Sequence, residues 1–252
     1  MDLQLSGKRV LVTGGTRGIG RAIVEAFLKE GAIVGFCARN PEEVTATQDA
    51  LHGHGSITGA TVDVGDGNAL AAWVDQSAEA FGGLDVVVAN VSALAIPDTE
   101  ENWRISLEVD VMHTVRLIRA AMPHLERSDA ASIIAISSVS GRESDFASGP
   151  YGTAKTAIVG YIHGLALQLA DKHIRANTVS PGNTYFEGGA WANIETGDPA
   201  LFRTAVELNP TGHMGTPEEI AGPVVFLASP RARRVSGTNL VVDGALTRGI
   251  QL

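Results

Sequence analysis

The chain is 252 residues long, with 44% apolar residues and 29 glycines, a composition that supports a sizeable core and excludes intrinsic disorder. Nineteen basic against 28 acidic residues leave a net charge of −9, which argues against a protein held on nucleic acid by phosphate contacts, and 5% aromatics argue against stacking on single strands. A single cysteine, Cys37, excludes an internal disulfide and any CxxC metal or redox site. The longest unbroken apolar run, Ala69–Val74, is far short of a membrane span, and Met1–Lys8 carries an acid where a signal peptide would be apolar. A cytoplasmic protein, free of membrane and nucleic acid, is expected.

Short apolar, β-branched runs recur along the chain, at Arg9–Thr13, Ile33–Cys37, Ile57–Val62, Asp85–Asn90, Ser132–Ser137, Arg175–Ser180 and Leu240–Val242. Most are too continuously apolar for a strand with one wet face and suit a parallel sheet covered on both sides. Between them run segments of helical period. Ile23, Phe27 and Leu28 share one face of the first, and Ile220, Val224 and Leu227 one face of the last. Asn40-Pro41-Glu42-Glu43 and Thr216-Pro217-Glu218-Glu219 both read as an N-cap, a proline in the first turn and an acid at N3. Strand and helix alternate about seven times, which predicts a doubly wound α/β fold with one domain over 1–252. The alternation breaks between Gly182 and Gly215, a stretch rich in glycine and aromatics and interrupted by Pro199 and Pro210. A loop of that length predicts a lid over a binding site, at about 183–215.

After the first strand comes Thr13-Gly14-Gly15-Thr16-Arg17-Gly18-Ile19-Gly20, running into a helix over Arg21–Lys29. Glycines at 14, 18 and 20 permit a tight turn and let a pyrophosphate approach N–H groups at the helix start. The spacing is GxxxGxG, and its place between strand and helix points to a dinucleotide site instead of a plain connection. The second strand ends Phe36-Cys37-Ala38-Arg39-Asn40, with no acid before Glu42 to take the 2′-hydroxyl of NAD. Arg39 matches a 2′-phosphate through its planar fork, with Arg17 as a flanking partner, so NADP is favoured while NAD stays possible.

Tyr151-Gly152-Thr153-Ala154-Lys155 puts a phenol and an ammonium on one face of a helix. A neighbouring ammonium favours the phenolate and so suits the phenol to proton transfer near neutral pH. Thirteen residues earlier, Ser137-Ser138 closes an apolar strand, where open α/β sheets bind ligands, and a hydroxyl there can polarise a carbonyl.

Together these residues resemble the short-chain dehydrogenase/reductase family, along nearly the whole chain. The likeness runs through the glycine turn Thr13–Gly20, Asp63-Val64, Asn90, Ser138, Tyr151/Lys155, Pro181-Gly182, Pro217–Ala221 and Asp243-Gly244. It implies a Rossmann fold and a role set. Tyr151 would be the acid/base, Lys155 would hold the nicotinamide ribose and support the tyrosine, and Ser138 would bind the substrate oxygen. Asp63 would contact the adenine with Val64 beside it. Gly14, Thr16, Arg17, Gly18, Ile19, Gly20, Arg39, Asn90, Pro181, Gly182 and Thr184 complete the expected cofactor contacts. Two positions depart from the family pattern. Its Asn-Asn-Ala-Gly is Ala89-Asn90-Val91-Ser92 here, and its catalytic asparagine in the next helix is Asp110. In the family a main-chain carbonyl at that place holds a water linking the lysine to solvent, and aspartate keeps that carbonyl.

The seven histidines form no HxxxH or Cys/His set, so no metal site is expected, and no GxSxG elbow supports a hydrolase. Tyr185, Phe186 and Trp191 crowd the lid, and with Leu94, Ile96 and Phe146 they predict an apolar wall around the substrate. Ala154, Ala157, Gly160 and Gly164 predict a helix face open to close approach; the family often builds tetramers on this helix, so a homotetramer or dimer is expected. The expected activity is NADPH-dependent reduction of a small apolar ketone, or the reverse oxidation. One alternative is a 3-oxoacyl carrier-protein reductase, a frequent role in the family, whose acidic carrier would dock on basic residues at two helix ends flanking the site. Lys172 lies near one, but Arg127 at the other is followed by Asp129 and the net charge is −9, which disfavours it. Another is a dinucleotide-binding sensor or scaffold without turnover.

Overall fold

The fold, described over residues 2–250 in a computed structural model, follows from where the apolar runs can hide. Seven strands form one parallel sheet in the order β3-β2-β1-β4-β5-β6-β7. They are β1 (Arg9–Thr13), β2 (Ile33–Ala38), β3 (Ile57–Thr61), β4 (Val86–Ala89), β5 (Ser132–Ile136), β6 (Arg175–Pro181) and β7 (Asn239–Val242). Each lies within one or two residues of its expected bounds. The central strands β4, β5 and β6 are buried throughout, whereas the edge strands β3 and β7 are only partly covered. Thr13 at the end of β1 pairs with Cys37 on one side, and Val12 pairs with Val88 on the other. The chain order reverses between β1 and β4, which opens a crevice at the C-terminal edge of the sheet.

Helices α1 (Gly18–Lys29), α2 (Pro41–Leu51) and α9 (Pro217–Ala228) cover one face. Helices α3 (Gly67–Phe81), α5 (His113–Leu125) and α6 (Pro150–Gln168) cover the other. Ile23, Phe27 and Leu28 of α1 meet Ile220, Val224 and Leu227 of α9 in the first core, as the shared apolar faces require. Phe27 is wholly buried there, so Phe27→Ala would cost about 3–5 kcal/mol. The local signals also hold. Asn40 accepts from the N–H groups of Glu42 and Glu43, and Thr216 forms a capping box with Glu219.

Two features differ from expectation. The 183–215 segment is no open loop, because it contains α7 (Ala190–Gly197) and α8 (Pro199–Glu207) with a small core of Trp191, Ala205 and Met214. The chain around Asp110 is helical but not α: after α4 (Glu100–Ile105), Ser106–Met112 winds as a π-helix before α5. A π segment loosens the backbone ladder and is frequent at functional sites.

Candidate active site

Most expected site segments directly follow the C-terminal end of a parallel strand, so the sheet delivers them to one edge, and Asp110, Tyr151 and Lys155 come from the helical segments beyond. The glycine turn follows β1, Arg39 follows β2, Asp63 and Val64 follow β3, and Asn90 follows β4. Ser138 follows β5, and Pro181, Gly182 and Thr184 close β6 or follow it.

The glycine turn is braced from beneath. Gly14 and Gly15 both donate to Cys37 O, and Asn90 Nδ2 donates to Thr13 O at 3.0 Å and Gly14 O at 3.3 Å. A methyl group at Gly20 would stand 2.0 Å from Gly14 O, so only glycine permits the helix to start this close to the turn. Helix α1 begins without a side-chain cap and without an acid in its first turn, whereas Asn40, Asp66 and Thr216 cap α2, α3 and α9. Its first N–H groups are therefore left for an anion, and a dinucleotide pyrophosphate fits them. Thr16 donates to Glu43, Ile19 packs against the core, and Arg39 stands exposed without an ion pair among the described residues. Val64 is buried, and Asp63 accepts from Gly65 N. Thr184 donates to Gly182 O and bridges to Gly215. Burial pushes the Cys37 thiol up to about 12, which makes it inert.

Helix α6 starts at Pro150, with Tyr151 half-buried and Lys155 almost fully buried. It meets the 139–141 turn backbone to backbone, because Gly141 and Gly152 carry no side chains to hold them apart. That contact packs the segment bearing Ser138 against the helix that bears Tyr151 and Lys155. Ser138 Oγ accepts from Ser140 N at 3.2 Å, so its own proton remains available to another acceptor. Ser137 Oγ donates to Lys155 O, and Lys155 Nζ donates to Ile136 O at 3.1 Å. The same ammonium lies 5.6 Å from the Tyr151 ring centroid and 3.1 Å from Asp110 Oδ1.

Asp110 therefore enters the site through its side chain. Its Oδ2 accepts from Ala93 N at 3.0 Å, while its main-chain carbonyl takes the Thr114 hydroxyl at 2.8 Å. Ser92 Oγ accepts from Leu94 N, and Leu94 sits at φ +51°, so both departures from the family pattern meet in one loop. His113 joins the site with no motif in the sequence to mark it. It is completely buried, with Nδ1 3.2 Å from Val109 O and Nε2 3.0 Å from Thr13 Oγ1, which in turn accepts from Asn90 N. Burial lowers its pKa to about 4, against an opposing pull from Asp110 and with a further push from Lys155. The ring is neutral, so Nδ1–H donates to Val109 O and Nε2 accepts from Thr13. Only its place on an apolar helix face three residues after Asp110 hinted at this.

The expected apolar wall is partly rearranged. Phe146 and Trp191 meet edge to face at 5.6 Å, and Leu94 and Phe146 are exposed. Tyr185 instead turns onto the lid itself, against Phe202 and with its hydroxyl 2.6 Å from Glu195, and Phe186 packs on Gly18. Ala154 is buried and lies off the open face of α6, which retains Ala157, Gly160 and Gly164. Lys172 and Arg127 do not flank the site. Each stands beyond the C-terminal end of a helix running back from the strands, at the opposite edge of the sheet.

A doubly wound sheet with a glycine-rich phosphate turn, a strand-end serine and a Tyr/Lys pair defines a dinucleotide-binding oxidoreductase. The chain belongs to the short-chain dehydrogenase/reductase family. A family model described as enoyl-(acyl carrier protein) reductase matches residues 14–247. Isoepoxydon dehydrogenase of Penicillium expansum is 41% identical over 253 residues, covering 98% of this chain and 97% of that one. L-Sorbose reductase of Gluconobacter frateurii, solved with NADPH and L-sorbose, superposes with a TM-score of 0.91 at 27% identity, over 99% and 100% of the two chains. An NADPH-bound short-chain oxidoreductase of Pseudomonas aeruginosa, described as containing an atypical catalytic center, gives 0.89 at 29% identity, over 98% and 99%.

Proposed function

We propose that this chain reduces a small, neutral, apolar ketone to a secondary alcohol, or catalyses the reverse oxidation, with NADP(H) held at the glycine turn. The observation that carries the reading is the buried Lys155 ammonium between the Tyr151 ring, Ile136 O and Asp110. When bound, the nicotinamide dinucleotide supplies or takes the hydride. Gly14, Thr16, Arg17, Gly18, Ile19 and Gly20 hold its pyrophosphate, and Arg39 takes the 2′-phosphate with Arg17 beside it. Asp63 and Val64 border the adenine, and Asn90, Pro181, Gly182 and Thr184 border the nicotinamide end. The NADPH-bound state of both solved relatives supports this choice of cofactor.

Tyr151 gives its hydroxyl proton to the carbonyl oxygen as that oxygen gains negative charge, and Ser138 donates a hydrogen bond to the same atom. Lys155 has three N–H donors; one goes to Ile136 O, the ammonium pairs by charge with Asp110 at 3.1 Å, and an N–H is left for a ribose hydroxyl. Its ammonium, 5.6 Å from the ring centroid, is positive charge placed beside the oxygen from which the proton departs. Asp110 fixes the lysine in place.

The 183–215 segment serves as the substrate lid. The open Ala157/Gly160/Gly164 face of α6 supports self-association as a tetramer or dimer. No helix among the described residues is long and apolar enough to cross a membrane, and one buried, inert thiol suits the reducing cytoplasm. The test is NADPH oxidation, followed by absorbance, with a panel of ketones. Turnover of at least one neutral ketone is expected; NADPH binding with no turnover on any would leave a dinucleotide sensor.

A further inference from the structure

We propose that Phe186 is a latch that ties the lid to the phosphate turn and sets how fast the bound dinucleotide leaves. The inference rests on the reading that the glycine turn binds NADP(H). Gly18 sits at φ +53°, and a methyl group there would stand 2.5 Å from Phe186 Cζ and 2.8 Å from Cε1 and Cε2. The ring therefore lies flat on the bare α-carbon of the turn. The sequence around it makes the fit possible: Gly188 takes φ +72°, and a side chain at Gly189 would stand 2.9 Å from the same ring. Arg17 of the turn reaches Gly188 O at 3.5 Å alongside.

The lid is built to move as a body. Its two ends are zipped together where Tyr185 N donates to Gly215 O and Gly215 N donates to Asn183 O. Its helices pack on their own core of Trp191, Ala205 and Met214, separate from the two cores under the sheet. A unit with its own core and a narrow neck opens as one piece, and its grip on the body then lies in a few contacts. Phe146 against Trp191 is one of them, on the substrate side. Phe186 on Gly18 is another, on the turn that holds pyrophosphate, with Arg17 at Gly188 O beside it; Thr211 against Gly244 lies farther along the lid. For a phosphate-anchored ligand to leave, that ring must first lift.

The experiment is a stopped-flow displacement of NADPH, read by its fluorescence, from the unmodified protein and from Phe186→Leu, Phe186→Val and Phe186→Ala. The release rate is expected to rise as the side chain shrinks, reaching tenfold or more for alanine, with the association rate changed less than threefold. Should the alanine variant fail to fold, the leucine and valine variants decide through the same trend. Release rates equal across the series would overturn the latch. So would faster association and tighter binding in the smaller variants, since the ring would then obstruct the cofactor. Absence of NADPH binding by the unmodified protein would instead strike at the cofactor assignment itself.

Discussion

Asp110 Oδ1 lies 3.1 Å from Lys155 Nζ, with both side chains removed from solvent, while the other carboxylate oxygen holds Ala93 N. One side chain thereby joins the π segment, the loop after β4 and the catalytic helix. Taking two charges out of water is costly, and the pair persists because hydrogen bonds to Ile136 O and from Ala93 N satisfy much of the rest. Asp110→Asn keeps the shape and one carbonyl oxygen for the ammonium, gives up the bond from Ala93 N, and leaves Lys155 its bond to Ile136 O, so kcat should change less than about tenfold, a 1.4 kcal/mol effect. Asp110→Ala strands a buried ammonium and should cost about 3–5 kcal/mol in denaturant-unfolding stability. A gain of several orders of magnitude in kcat for Asp110→Asn would mean that the carboxylate cripples the lysine.

Tyr151→Phe removes a proton and leaves the glycine turn and Lys155 untouched. Turnover should fall by more than a hundredfold, while the Kd for NADPH, measured by fluorescence titration, stays within about threefold. Retention of more than a tenth of kcat, a loss below about 1.4 kcal/mol, would remove Tyr151 from the role of acid.

Arg39 is exposed just beyond β2, with no acid paired to it among the described residues, which leaves its fork for a phosphate. Arg39→Asp loses a charge-assisted pair and adds repulsion, so NADPH binding should weaken by at least a hundredfold while NADH is affected far less. If the unmodified protein already prefers NADH, the 2′-phosphate assignment fails.

Much of this architecture was legible because its signals are local. The caps at Asn40 and Thr216 lie within four residues of what they cap, and the strand runs needed only continuity of apolar residues. Pro199 shows how a local signal misleads. Read as a break in a loop, it is the first residue of α8, whose start is capped by Asp198 accepting from Leu201 N. The Asp110–Lys155 pair joins residues 45 positions apart, and His113 meets Thr13 across 100; neither has a periodic signature. The helix ends bearing Lys172 and Arg127 lie away from the site for a topological reason, since helices that return from parallel strands end at the far edge of the sheet.

His113 gives the fold a pH dependence with a definite sign. Its folded pKa, lowered to about 4, lies below the 6.5 of a free imidazole, so the unfolded chain binds the proton first. Its contribution is full above pH 6.5 and is lost as the pH falls from there toward 4, amounting to about 3 kcal/mol. Urea midpoints measured between pH 7 and 4 should show this slope, and His113→Gln should flatten it while lowering stability at pH 7. An unchanged slope in the variant would mean that other groups carry the acid sensitivity.

The substrate should be a free, neutral ketone and not an acidic carrier. Lys172 is engaged by Glu126, and Arg127 by Pro123 O and His124, so both basic side chains have partners as well as the wrong location. The lid and the loop before α6 carry Asp145, Glu187 and Glu195 against a half-buried Arg142, while Arg17 and Arg39 are assigned to the cofactor phosphates. Like charge slows the encounter with an acidic partner instead of steering it. The apolar surface available is Leu94 and Phe146, both exposed, with Trp191 behind Phe146. Against this wall Ser138 and Tyr151 are the few polar groups left to orient a carbonyl. In a side-by-side assay, neutral aryl, alicyclic or long-chain ketones should therefore give higher kcat/KM than a free 3-oxo acid or a 3-oxoacyl carrier protein. Phe146→Ala should raise KM for the bulkier ketones several-fold with little change in kcat, because it removes contact area remote from the reacting carbonyl. A clear preference for the carrier-bound substrate would refute the substrate class and leave the reductase chemistry standing.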